Sequence, residues 1–176
     1  SCEAAANEIR ALGRRALPVA CHAARWQDLD QLVERSYGEF GRVDVLINNA
    51  GMSPVAPSSL ETSEDLIDKV IDLNFKGPFR LSALVGRRMA AGDGGSIINV
   101  SSYGSLRPLP EYAPYAGAKS ALNSLTIAHA VEFAPKVRVN GILPGSFRTD
   151  IARHWPADKE SKTDAVLRRF GEPDEI

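Results

Sequence analysis

Val43-Asp44-Val45-Leu46-Ile47-Asn48-Asn49-Ala50-Gly51 is the stretch that decides the fold. Its first half is β-branched and nearly continuously apolar, the mark of a strand buried on both faces, and it stops abruptly in a turn of small polar residues. Towards the C-terminus the same signature returns twice, at Ser96-Ile97-Ile98-Asn99-Val100-Ser101 and at Val137-Arg138-Val139-Asn140-Gly141-Ile142-Leu143. Long helical stretches separate the three runs. One spans Ser63 to Ala91 and is closed by Gly92-Asp93-Gly94-Gly95; the other spans Glu111 to Phe133. Towards the N-terminus, Leu29, Leu32, Val33 and Tyr37 recur at helical spacing up to the Gly38 and Gly41 breaks, and Ala16 to Cys21 is a short apolar run that predicts a further strand. A proline-containing polar loop covers Ser53 to Ser59.

Strands alternating with long helices predict a parallel sheet with crossover helices. The expected fold is therefore α/β: a doubly wound, Rossmann-like, three-layer α/β/α arrangement forming one domain over residues 1–176. Residues 146–170 are polar and weakly periodic, and are expected to form a cover over a substrate pocket. The chain opens in Ser1-Cys2-Glu3-Ala4, inside an amphipathic helix with no cap before it, and closes in Gly171-Glu172-Pro173-Asp174-Glu175-Ile176, a turn leading into another helix. Both ends are expected to be cut, so that the domain is incomplete at each.

Composition narrows the function classes. Of 176 residues, 44% are hydrophobic and 24% charged, an ordinary globular balance with enough length for a core. Twenty-one basic against 22 acidic residues leave a net charge of −1, which gives no reason to expect a nucleic-acid partner. Cys2 and Cys21 cannot make a disulfide framework, and His22, His129 and His154 are too scattered for a metal site, so no metal is expected. No apolar run nears the roughly 18 residues of a membrane span. The expected setting is soluble and cytoplasmic, with no membrane partner.

In sheets of this kind ligands bind beyond the carboxyl ends of the strands. Those places follow Ile47, Val100 and Leu143, and each carries unusual residues. Asn49, Ala50 and Gly51 form a tight turn that lets backbone approach a flat ligand, although the same residues would serve a plain turn. Ser101 and Ser102 end the next strand. Thirteen residues beyond Ser102 lies Tyr115, and four beyond that Lys119, a spacing that stacks phenol and ammonium on one helix face. A neighbouring positive charge favours phenolate over phenol. Such a tyrosine could give a proton to a carbonyl oxygen or take one from an alcohol. Tyr37 and Tyr112 lack a cation at the fourth position, and Tyr103 has Arg107 there in a stretch broken by Pro108 and Pro110. Tyr115 alone is paired with lysine.

Taken in order, Asn48-Asn49-Ala50-Gly51, Asn74, Ser102, Tyr115-x-x-x-Lys119 and Pro144-Gly145-x-x-x-Thr149 resemble the short-chain dehydrogenase/reductase family, over essentially the whole chain and at its spacing. The resemblance implies an oxidoreductase that moves hydride between NAD or NADP and a small-molecule carbonyl or secondary alcohol. It puts Tyr115 in the role of general acid/base and has Lys119 favour the phenolate while holding the nicotinamide ribose. It also implies that Ser102 stabilises the substrate oxygen, and that Asn74 holds a water linking Lys119 to solvent. Asn49, Ala50, Gly51, Pro144, Gly145, Phe147 and Thr149 fall at cofactor-binding positions, and His22 stands where the family usually has an aspartate at the adenine. A homodimer or homotetramer through the two long helices is implied as well.

The family's Gly-rich pyrophosphate turn and the residues that choose NAD or NADP are not found in this sequence, so the two cofactors are not distinguished. Two rivals remain within the fold: a nucleotide-binding module or fragment without turnover, and an extended-branch epimerase or dehydratase sharing Tyr-x-x-x-Lys. Against the first stands the complete Asn74, Ser102, Tyr115, Lys119 set; against the second, the Asn-Asn-Ala-Gly turn and the compact spacing. Ile151 and Trp155 with Phe147 suggest a partly apolar pocket lining, which chooses no substrate.

Overall fold

The computed structural model describes residues 2–149 and 165–176. Helix α1 (Cys2–Ala11) is followed by α2 (Trp26–Phe40), strand β1 (Val45–Asn48) and helix α3 (Glu64–Ile71). A π turn (Asp72–Lys76) joins α3 to α4 (Gly77–Ala91); then come β2 (Gly95–Val100), α5 (Ala113–Glu132) and β3 (Val137–Ile142). All strand pairing is parallel, in the order β1-β2-β3, with Asn48 opposite Asn99 and Asn99 opposite Gly141.

Helices α4 and α5 both pack on the face that carries Ile97, Asn99 and Val139. Val85 and Met89 from α4 and Phe133 at the end of α5 close a core with Val33, Ile97, Val137 and Val139. Helix α2 lies on α4. There Arg80 makes a two-pronged pair with Asp30 at 2.7 and 2.8 Å, and Arg88 pairs with Glu34. Both charges sit at the surface, where such pairs contribute at most about 1 kcal/mol each, so the apolar contacts of Leu29 and Val33 hold the helix down. Gly94, at φ +90°, lets β2 start tight against β3: a Cβ there would lie 2.3 Å from the Lys136 carbonyl.

Three expectations need correction. Ala16–Cys21 is half-buried but unpaired, because no neighbouring strand lies beside it among the described residues and Pro18 has no N–H to donate. Strand β1 is not buried on both faces, since Val45 and Ile47 are 53% and 58% exposed with nothing described covering them. The helix expected over Ser63 to Ala91 is interrupted. Pro78 cannot donate to the carbonyl of Asn74 four residues earlier and its ring crowds that carbonyl, so the helix widens into the π turn. The start is set by Ser63, whose hydroxyl accepts from Leu66 N–H at 3.2 Å.

Candidate active site

The turns that leave β1, β2 and β3 converge with the first turns of α5 on a cavity of about 990 Å³. Backbone pairing continues past the strands and fixes two of these turns side by side: Ser101 N–H donates to Ile142 O at 2.8 Å, and Tyr103 N–H to Pro144 O at 2.9 Å. Asn49 and Gly51 line the cavity from the first turn, Ser101 and Ser102 from the second, and Pro144, Gly145, Phe147 and Thr149 from the third; Tyr115 and Lys119 come from α5.

The two serines differ in what they are free to do. Ser101 is buried and its hydroxyl donates to the main-chain carbonyl of Lys119 at 3.2 Å, so it fastens α5 to β2. Ser102 is half-buried, and its hydroxyl oxygen accepts from Gly104 N–H at 3.1 Å, capping a short 3-10 turn over Tyr103–Ser105. That bond uses the oxygen as acceptor and leaves its hydrogen for a group in the cavity.

Lys119 is 4% exposed. Its ammonium donates to Val100 O at 2.7 Å and sits 5.9 Å from the centre of the Tyr115 ring. Burial disfavours the charged form and pushes the amine down to about 8. An ammonium has three donors and the Val100 carbonyl takes one, so two remain for ligand oxygens.

Asn74 lies in the π turn and is completely buried. Its amide nitrogen donates to Met52 O at 2.9 Å and Val70 O at 3.0 Å, while its oxygen accepts from Met52 N–H at 3.2 Å. These bonds tie the π turn to the loop after Gly51. A Cβ on Gly51 would fall 2.8 Å from Asn74 Oδ1 and 3.5 Å from Lys119 Nζ, so the space kept open by this glycine lies between those two polar atoms.

Asn74 and Ala50 are beside the cavity without lining it, and His22 is apart from it. His22 is exposed; its N–H donates to Asp28 Oδ2 at 3.0 Å and its Nδ1 accepts from Ala24 N–H at 3.3 Å, so it shapes the turn that enters α2. Of the expected cover 146–170, residues 146–149 and 165–170 are described. Phe147 pairs in parallel with Gly171, and Phe147's ring occupies the space a Cβ on Gly171 would need, which brings Pro173 and Ile176 to the cavity wall. Ile151, His154 and Trp155 lie outside the described residues.

One supporting chain went unread in the sequence. Asn48 donates to Ser82 Oγ at 2.9 Å and to Asn99 Oδ1 at 2.8 Å, and Asn99 donates to Thr126 Oγ1 at 2.9 Å, all buried. This network locks the ends of β1 and β2 to α4 and α5, and hence fixes the turns that carry Asn49 and Ser102. Its signal was an asparagine closing two otherwise apolar strands.

The description of short chain dehydrogenases matches residues 1–160, almost the whole chain. The chain belongs to the short-chain dehydrogenase family. The human dehydrogenase/reductase SDR family member 4 is 35% identical over 160 residues, covering 88% of this chain and 58% of the relative, and its Bos taurus counterpart is 39% identical. The chain thus spans somewhat under two thirds of these relatives' length. Among solved structures, a short-chain alcohol dehydrogenase described as putative from Sinorhizobium meliloti superposes with a TM-score of 0.88 at 32% identity, covering 99% of this chain and 71% of that one. A xylitol dehydrogenase solved with NAD+ bound gives 0.89 at 25% identity, covering 99% and 75%. The Rossmann-like α/β fold of the short-chain dehydrogenases is therefore that of this chain. Among the described residues no helix is long and apolar enough to cross a membrane, and no group of three or more His, Cys, Asp or Glu could hold a metal.

Proposed function

We propose that the protein is an NAD- or NADP-dependent oxidoreductase acting on a carbonyl or secondary alcohol. The observation that carries this reading is the meeting of Ser102, Tyr115 and the buried Lys119 on one cavity at the carboxyl ends of the strands. The nicotinamide cofactor supplies the hydride when bound; this chain's residues bind, orient and move protons. The two uncommitted donors of Lys119 suit the vicinal hydroxyls of a ribose, and the Asn49–Gly51 and Pro144–Thr149 turns would hold the rest of the nicotinamide half.

Ser102 donates its hydroxyl hydrogen to the substrate oxygen and stabilises charge developing there. Tyr115 gives its phenolic proton to that oxygen in reduction and takes one in oxidation. The ammonium of Lys119 beside the ring stabilises the phenolate left behind. A water in the space between Asn74 Oδ1 and Lys119 Nζ would return the proton, and Gly51 keeps that space open. Ile127 and Val131, exposed one turn apart on α5, support a homo-oligomer through this helix.

The test is fluorescence titration with NADH and NADPH, followed by reduction of a carbonyl panel by the native protein and Tyr115→Phe. Binding of one cofactor, turnover by the native protein, and turnover lost at least ~100-fold in the variant with binding kept is the expected result. Binding without turnover of any carbonyl or alcohol would favour the nucleotide-binding module.

A further inference from the structure

We infer that Arg107 is a specificity-determining residue and that the cavity selects carbonyl compounds carrying a carboxylate at the end remote from the reacting carbonyl. This rests on the function proposed above and names its substrate class. Arg107 lines the cavity, yet its side chain has no ion-pair or hydrogen-bond partner among the described residues. The arginines at positions 10, 15, 42, 80, 88, 148 and 169 are each matched to a carboxylate. Among the described residues, those at 14, 25, 35, 87, 138 and 168 are exposed without an ion pair, and Arg107 is the one arginine that lines the cavity. No aspartate or glutamate is among the described residues that line the cavity, and Glu111, four residues on, forms no ion pair with Arg107.

The backbone places this guanidinium relative to the chemistry. Ser102 caps the turn Tyr103–Ser105, and Arg107 N–H donates to Tyr103 O at 3.2 Å, so the same turn runs on to Arg107 and stops at Pro108. Arg107 follows Ser102 by five residues along one wall of the cavity, so one stretch of backbone carries both the hydroxyl that meets the carbonyl and the cation. Leu106 and Leu109 flank Arg107 on the cavity wall and are 65% and 56% exposed. The wall thus offers a donor at one end, apolar surface beside it, and an unpaired cation. Its complement is a carbonyl on an apolar body ending in an anion, and the planar fork of arginine matches a carboxylate with two parallel hydrogen bonds. The other cation of the cavity, Lys119, is already bonded to Val100 O and sits beside Tyr115.

The experiment compares 7-oxooctanoate with its methyl ester, which share carbonyl, chain length and apolar body and differ in the charge. With NADH or NADPH as reductant, kcat/KM for both is measured in the native protein, Arg107→Ala, Arg107→Lys, and Arg35→Ala, which removes an exposed arginine outside the cavity. The inference predicts an acid-to-ester ratio that falls at least tenfold in Arg107→Ala, mainly through KM, falls less in Arg107→Lys, and holds in Arg35→Ala. Cofactor affinity, read by fluorescence on the same variants, stays put. Equal ratios in native protein and Arg107→Ala overturn the inference while the proposed function stands on the ester's turnover. A loss of NADH or NADPH binding in Arg107→Ala also overturns it, since the arginine then serves the cofactor. Failure of the native protein to reduce any carbonyl is a different result: it removes the proposed function, and this inference with it.

Discussion

Replacing Lys119 by methionine should change the sign of its effect on stability between neutral and alkaline pH. In the unfolded chain a lysine keeps its proton up to about 10.5, whereas buried Lys119 releases it near 8. Between those values the unfolded state binds more protons, so stability of the native protein rises with pH across that window. Below about 8 the fold bears the full cost of a buried ammonium, which that lowering sets at about 3 kcal/mol. Methionine removes this cost at every pH but leaves the carbonyl of Val100 without its 2.7 Å donor, a loss of about 1–2 kcal/mol. The difference makes the variant about 1–2 kcal/mol more stable than native at pH 7. At pH 10.5, where the native lysine is neutral in the fold, only the lost hydrogen bond remains and the variant is about 1–2 kcal/mol less stable. Urea unfolding followed by circular dichroism at both pH values measures this, with other titrating groups cancelling between variant and native. A variant destabilised equally at pH 7 and pH 10.5 would refute the claim that desolvation dominates at Lys119. The proposed oxidoreductase activity should be lost at both.

Ser102→Ala should lower kcat by about 100-fold with little change in stability, whereas Ser101→Ala, removing a bond to the Lys119 main chain, should cost about 1 kcal/mol in urea unfolding. Gly51→Ala should cut turnover more than cofactor binding, because its Cβ meets Asn74 Oδ1 at 2.8 Å; steady-state kinetics beside a fluorescence titration separates the two. His129 is buried against Phe79 and Phe133 with Nδ1 unpartnered, and burial pulls its ionisation below 6.5. The unfolded chain therefore takes up the proton first as pH falls through 6.5, and stability drops below that pH. His129→Leu should be about 1 kcal/mol more stable than native at pH 7.5 and gain further at pH 5, as thermal unfolding at the two pH values will show.

The strands β1, β2 and β3 were legible because each carries β-branched residues in a short run bounded by turn residues, and the topology points to the strand ends where the cavity lies. The resemblance points to Ser102, and the structure adds that Ser101 is bonded to the main chain of Lys119. The π turn was not read as a break, although Gly77-Pro78 inside a helical pattern was its signal: the missing N–H of Pro78 acts on a residue four earlier, at Asn74. Ala16–Cys21 misled because an apolar run states a preference for extended backbone, while a strand also needs a neighbour to accept its hydrogen bonds. The spacing of Arg107 from Tyr103, in a stretch broken by Pro108 and Pro110, speaks only against a helical phenol–cation pair; the placement of Arg107 on the cavity wall depends on a turn that only the folded backbone displays.

The measurement that bears most directly on the central claim is transfer of deuterium from a nicotinamide cofactor labelled at its hydride position. Native protein, cofactor and a ketone are incubated together, and the alcohol is examined by mass spectrometry, with Tyr115→Phe alongside. The account predicts one deuterium on the carbinol carbon with native protein and at least ~100-fold slower labelling with the variant. An unlabelled alcohol, or labelling at the same rate without the Tyr115 hydroxyl, would contradict it.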